Sequence, residues 1–185
     1  MKKIIYLISV VSIFLSCSGG GAQITDKTIN DDTFDKAYFK FYGNYYSDRG
    51  VEQNVIDLDL YSQGLDLDES GHIAGSGTNL YLSDIFISPM ETGLQEGTYL
   101  SSDTLYEAFT FLPGVNYDGN ISGAYILNIT DGNLVSYIIF DEGSFVVNRE
   151  ESGNLNIDFE FKYTENGRRK VYKAQYNGQP IELEK

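Results

Sequence analysis

Tryptophan is absent from this chain of 185 residues, cysteine and histidine occur once each, and proline occurs three times. A single cysteine allows no disulfide within the chain, so stability must come from packing. The one histidine, His72, cannot build a His-rich zinc site. It could serve as base in a Ser-His-Asp triad, but no Gly-x-Ser-x-Gly elbow accompanies it. The lack of tryptophan counts against the commonest sugar-stacking platform, although tyrosine can replace it. Basic residues are scarce, with 13 Lys+Arg against 27 Asp+Glu and a net charge of −14. Such a surface repels nucleic acid and anionic lipid. Long apolar runs are scarce too: none approaches the roughly 18 residues of a membrane-spanning helix. No segment keeps a helical period for long, and only a short helical turn around Pro89-Met90-Glu91-Thr92 is expected.

What is abundant is tyrosine (15), phenylalanine (11) and glycine (19), the composition of pleated sheet joined by tight turns. Strands are expected at 37–46, 54–61, 79–88, 97–101, 105–112, 124–130, 134–140, 144–148, 155–163, 170–176 and 181–183. In Asn54–Tyr61, Ile56, Leu58 and Leu60 alternate with Asp57 and Asp59, the pattern of a half-buried antiparallel strand with its aspartates in solvent. Asp131-Gly132, Asn166-Gly167 and Ser152-Gly153-Asn154 separate apolar runs as hairpin turns do, so the strands from Ala124 onward read as a meander. About ten short strands without a helix predict an all-β domain. An antiparallel two-sheet sandwich is preferred, because Ile85-Phe86-Ile87 is apolar on both faces, as in a covered central strand; the alternative is an up-and-down, lipocalin-like barrel.

At the N-terminus, Lys2-Lys3 precede an apolar run from Ile4 to Leu15, then Ser16, Cys17 and Ser18-Gly19-Gly20-Gly21. This order resembles the export signal of a bacterial lipoprotein, with Phe14 where leucine is usual. The resemblance implies removal of residues 1–16, acylation of Cys17 and a membrane partner reached through that lipid, each buried methylene contributing about 0.8 kcal/mol. Ordinary secretion with cleavage near Gly20-Gly21-Ala22 is the rival. Residues 17–33, almost free of apolar side chains, read as the lipidated cysteine and a flexible tether, and 34–185 as a single β domain. The phrases Phe41-Tyr42-Gly43-Asn44-Tyr45-Tyr46, Leu58-Asp59-Leu60-Tyr61-Ser62, Gly75-Ser76-Gly77-Thr78-Asn79-Leu80-Tyr81-Leu82 and Glu96-Gly97-Thr98-Tyr99 are similar to those of small exported lipoproteins of Bacteroidetes. That resemblance implies an outer-membrane, envelope-facing all-β domain and no catalytic residues. Ser18-Gly19-Gly20-Gly21 lacks the acidic residues that accompany surface export, so a periplasm-facing domain stays open.

Tyr38, Tyr42, Tyr45 and Tyr46 cluster around the first strand, and their apolar faces and hydroxyls suit a glycan or a protein surface. The plainer reading makes them half-buried sheet residues. Asp66, Asp68 and Ser70, followed by Gly71, match the opening of a calcium loop, but Gly77 occupies the twelfth position where a bidentate acid belongs. A solvated turn explains the same residues. Asp103-Thr104-Leu105 resembles the three-residue O-glycosylation motif of Bacteroidetes, which would modify Thr104. The sequence therefore predicts a non-catalytic binding or adhesion module for a glycan or envelope protein. A carrier of a small apolar ligand and a structural envelope protein are the other classes; no cofactor is expected beyond that calcium.

Overall fold

All three hairpin signals form hairpins in the computed structural model, which describes residues 26–104 and 106–183. β10 (Ala124–Thr130) pairs with β11 (Asn133–Ile139), β12 (Glu142–Arg149) with β13 (Leu155–Glu165), and β13 with β14 (Arg168–Gly178), all antiparallel. β11 does not pair with β12, so the expected meander is broken there. The turns demand positive φ, and they have it: Asp131 and Gly132 stand at 50° and 73°, Asn166 and Gly167 at 52° and 74°.

Earlier in the chain come β1 (Asp26–Gly43), a 3-10 turn at Ser47–Arg49, and β2 (Asn54–Ser62). The short hairpin β3 (Leu65–Leu67) and β4 (Ile73–Gly75) follows, then β5 (Gly77–Ile87), β6 (Gly97–Ser101) and β7 (Thr110–Phe111). A second small hairpin, β8 (Val115–Tyr117) and β9 (Asn120–Ser122), precedes β10, and β15 (Ile181–Glu182) closes the described chain. The fold is all-β. Instead of the expected helical turn at 89–92 there is a simple turn in which Glu91 N–H donates to Ser88 O at 3.0 Å.

The sheet is neither an antiparallel sandwich nor an up-and-down barrel. β5, β2, β1, β14, β13, β12, β6 and β7 pair in that order, and β7 returns to β5, closing an eight-stranded ring. Two of its joints, β1–β14 and β6–β7, are parallel. Closure brings strands from both ends of the chain together, which no hairpin can do. β10 and β11 hang outside the ring as a wing on β5.

Rings fill the barrel. Tyr99 stacks on Phe145 (centroids 4.5 Å apart), Phe140 on Phe161 (4.8 Å) and on Tyr172 (5.2 Å), and Phe111 bridges Phe145 and Phe161. Eight strands enclose about enough space for such side chains. Gly143 lets β12 lie against this layer, since a Cβ there would meet Phe161 Cδ1 at 2.3 Å. A smaller core of Tyr61, Leu65 and Ile129 forms outside the wall, beneath the β3–β4 hairpin.

β1 starts at Asp26, so residues 26–33, which composition assigns to the tether, pair in parallel with β14 up to Phe34↔Tyr176. Pairing needs only the backbone N–H and C=O, which polar residues carry as well as apolar ones. The expected signal segment 1–16, Cys17 and the tether up to residue 25 lie outside the described residues.

Candidate functional site

The site begins with a defect in β5. Its inward apolar positions run Leu80, Leu82, then Ile85, Ile87, a slip of one residue. Against β2 the register passes from Leu58↔Leu82 to Ile56↔Ile85, so Asp57 alone faces the pair Ser83–Asp84. This is a β-bulge, a device that re-aims a side chain. Here the outer edge of β5 changes partner, from β10 up to Leu82 to β7 from Ile85. Ser83 fixes the bend by exchanging bonds with Gly123, its N–H to Gly123 O (3.1 Å) and Gly123 N–H to its Oγ (2.9 Å). Asp84 is held at φ 54°, a left-handed conformation that costs a non-glycine residue about 1 kcal/mol.

The bulge turns Asp84 toward Asp57 on the outer wall, and tyrosines clasp both. Asp57 Oδ2 accepts Tyr42 OH (3.0 Å) and Tyr81 OH (2.6 Å), while its Oδ1 accepts Asp84 N–H (3.0 Å). Asp84 Oδ1 accepts Tyr46 OH at 2.6 Å. Burial is the main cause that raises the Asp84 carboxyl above the usual range, with Asp57's charge adding to it. Burial first, then the Asp57 charge, pushes the Tyr42 phenol up to about 12. Tyr42, Tyr45, Tyr46, Val55, Asp57, Ser83 and Asp84 line an open cleft of about 200 Å³.

The rings continue as a row. Centroids are 5.8 Å apart from Tyr42 to Tyr45, 4.9 Å from Tyr45 to Tyr46 and 6.5 Å from Tyr46 to Tyr106. Beyond Tyr46 a second recess of about 120 Å³ is lined by Arg49, Val51, Tyr106 and Leu112. Arg49 lies over the Tyr46 ring (5.2 Å) and Lys40 over the Tyr42 ring (5.1 Å), steadying both by cation–π attraction. Phe86 packs under Tyr46 and Tyr106 at 6.0 and 5.4 Å. That outer contact, with the slip in register, explains why Ile85-Phe86-Ile87 is apolar on both sides.

Three of the four tyrosines singled out in the sequence thus share one groove. Tyr38 stands apart, edge-on to Tyr61 (5.6 Å) and donating to Asp66 Oδ1 (2.9 Å). Sequence reasoning missed Asp57, Ser83 and Asp84, and it did not join Tyr106, a later tyrosine of the same type, to the cluster. The slip between Leu82 and Ile85 was the available signal for the bulge. Asp57 and Asp59 do face outward, but they are not solvated as expected. Asp59 accepts Tyr61 OH (2.5 Å) and the Asn79 amide, and burial raises its carboxyl.

Asp66 is engaged by the Lys36 ammonium and Tyr38 OH, which hold it below the usual carboxylate range, and by Leu67 N–H. Asp68 Oδ1 accepts the N–H groups of Ser70 (2.8 Å) and His72 (2.9 Å), a turn-capping pattern. Among the described residues, no three His, Cys, Asp or Glu side chains are placed to hold a metal ion. Thr104 is exposed in the β6–β7 connection, its N–H donating to Ser102 Oγ at 3.3 Å.

A separate recess of about 370 Å³ opens at one end of the barrel, lined by Phe39, Leu94, Leu155 and Pro180 with Arg149 and Gln179. No family model, curated protein or solved structure matches this chain.

Proposed function

We propose that this chain is a non-catalytic binding module of the bacterial envelope, held to the outer membrane by lipid on Cys17, and that its tyrosine groove takes a carbohydrate. The observation that carries the reading is the row Tyr42–Tyr45–Tyr46–Tyr106 laid over two clasped carboxylates. Ring faces suit the C–H faces of sugars. Asp57 and Asp84 offer acceptor oxygens for hydroxyl or ammonium donors, and charge-assisted bonds of that kind are the strong ones. The same carboxylates, on a chain of net charge −14, disfavour sulfated or phosphorylated polymers. Strain at Asp84 fits a position kept for binding rather than for stability.

Thermal unfolding against neutral, amino-bearing and acidic glycans tests this. A neutral or amino glycan at about 100 times its dissociation constant should stabilise the protein by about 2.7 kcal/mol. Tyr45→Ala should remove that rise while leaving the unliganded melting temperature nearly unchanged, because Tyr45 is 61% exposed. No response to any neutral or amino glycan sinks the reading.

A second reading is a carrier of a small apolar ligand. It is supported by the closed ring and the recess at the barrel end, rather than by a hollow interior, since rings occupy the centre. Displacement of a fluorescent fatty acid, weakened by Leu155→Asp and indifferent to Tyr45→Ala, would favour it over the groove.

A further inference from the structure

Along β12 the side chains that point into the barrel are Phe145 and Val147, so the next inward place falls to Arg149. The register gives the same direction. Arg149 stands opposite Leu155 of β13, and residues opposite one another in an antiparallel pair share a face. Leu155 is buried and begins the inward column of β13. A cation thus occupies a place at the barrel mouth where alternation calls for an apolar side chain. It borders the recess of about 370 Å³ whose apolar lining is Phe39, Leu94, Leu155 and Pro180. That volume falls among those of small-ligand pockets, about 300–1,000 Å³.

The guanidinium is nearly uncommitted. It carries five N–H donors, and among the described residues its one bond is a long one, to Gly153 O at 3.4 Å. Nor does it make an ion pair among the described residues. By contrast Lys36, Lys162, Arg169, Lys170 and Lys173 each hold a carboxylate, while Lys40 and Arg49 lie over rings. The acids beside Arg149 are turned elsewhere. Glu96 accepts the Arg149 main-chain N–H (2.9 Å), and Glu150 accepts the Asn177 amide (2.5 Å) and Ser152 OH (3.2 Å). Gln179 comes in from the C-terminal side. Its Nε2 lies 3.6 Å from where a Cβ on Gly153 would stand, beside the carbonyl that Arg149 touches.

We propose that this recess holds a small apolar acid, its carboxylate on the Arg149 guanidinium and the Gln179 amide, its body against Phe39, Leu94 and Leu155. The planar fork of arginine matches a carboxylate with two parallel bonds, which a lysine ammonium cannot do. Burial of the apolar body drives entry, and the fork fixes its orientation. The net charge of −14 opposes an anion only weakly here, because charges beyond about 8 Å are screened at physiological salt. This assignment rests on the carrier reading. It leaves the tyrosine groove free, since recess and groove share no lining residue.

Isothermal titration of the full chain in mild detergent, with phenylbutanoate and with its neutral amide, phenylbutanamide, reads headgroup and body separately. The acid should bind about tenfold more tightly than the amide, the margin of a charge-assisted pair over a neutral one. Arg149→Gln should remove that margin and leave the affinity for the amide unchanged. Arg149 is exposed, so the variant keeps the fold. Equal affinity for acid and amide, or acid binding unchanged in Arg149→Gln, overturns the carboxylate site while the carrier reading stands. Binding of neither compound overturns both.

Discussion

The hairpins β10–β11 and β13–β14 turn alike and are finished differently. Both use a two-residue turn with positive φ at each position. β13–β14 has paired strands on both sides and is charged outside: Lys173–Glu160 at 2.9 Å, Lys162–Glu142 at 2.6 Å, and Arg169 bridging Asp141 (2.5 Å) and Glu142 (2.8 Å). Among the described residues β10–β11 is paired to the wall on one side only, and it carries no charge on either strand. Turn chemistry makes a hairpin; the residues on its outer face decide what may lie against it. Charge appears where the sheet is already closed, and is missing where an edge remains.

Substitutions can break that contrast. The largest effect is expected inside the barrel: Phe161→Ala should lose about 3–5 kcal/mol in chemical denaturation, whereas Leu134→Ala, on the wing, should stay within about 0.5 kcal/mol. Alkaline unfolding comes next. Burial is the first cause that pushes Tyr99 and Tyr176 of the barrel and Tyr125 of the wing up to about 12, from an ordinary 10.0. The folded state keeps these protons longer than the unfolded state does. Their stabilisation is therefore complete below about pH 10 and lost as pH rises toward about 12. Tyrosinate absorbance and circular dichroism should change together over that window.

A smaller effect is expected at the bulge. Asp84→Asn keeps an acceptor for Tyr46 OH and suits positive φ, while removing a carboxylate whose ionisation burial opposes. It should raise the melting temperature by a few degrees and weaken glycan binding, separating stability from function. On the charged face, Glu160→Ala should cost no more than Leu134→Ala on the wing, about 0.5 kcal/mol in chemical denaturation, since the Lys173 pair is half exposed and screened by salt.

Local signals were the legible ones. Asp131-Gly132 and Asn166-Gly167 marked their turns, and the strands 97–101 and 124–130 ended where alternation ended. Closure was not legible. β1–β14 and β6–β7 join parallel strands across the chain, and no local spacing records such a partner. The expected strand 105–112 shrinks to Thr110–Phe111, which serves only to bridge β6 and β5. Of the groove, the tyrosines around β1 were visible as residue types. That Tyr106 joins them was not visible, because its neighbours come from other segments of the chain. Asp57 looked solvated because alternation gives the direction of a side chain but not what lies over it.

The seam between β1 and β14 sets an order in time. Across it Tyr172 OH donates to Asp32 Oδ2 at 2.8 Å, between residues 140 positions apart. The ribosome makes β1 first among the strands and β14 almost last, so the first strand must wait for nearly the whole domain before its second edge is filled. Hairpins such as β13–β14 can form in microseconds, but ring closure must await this distant pairing. Until then the folding chain presents β1 and β14 as open edges, each a template for pairing with another chain.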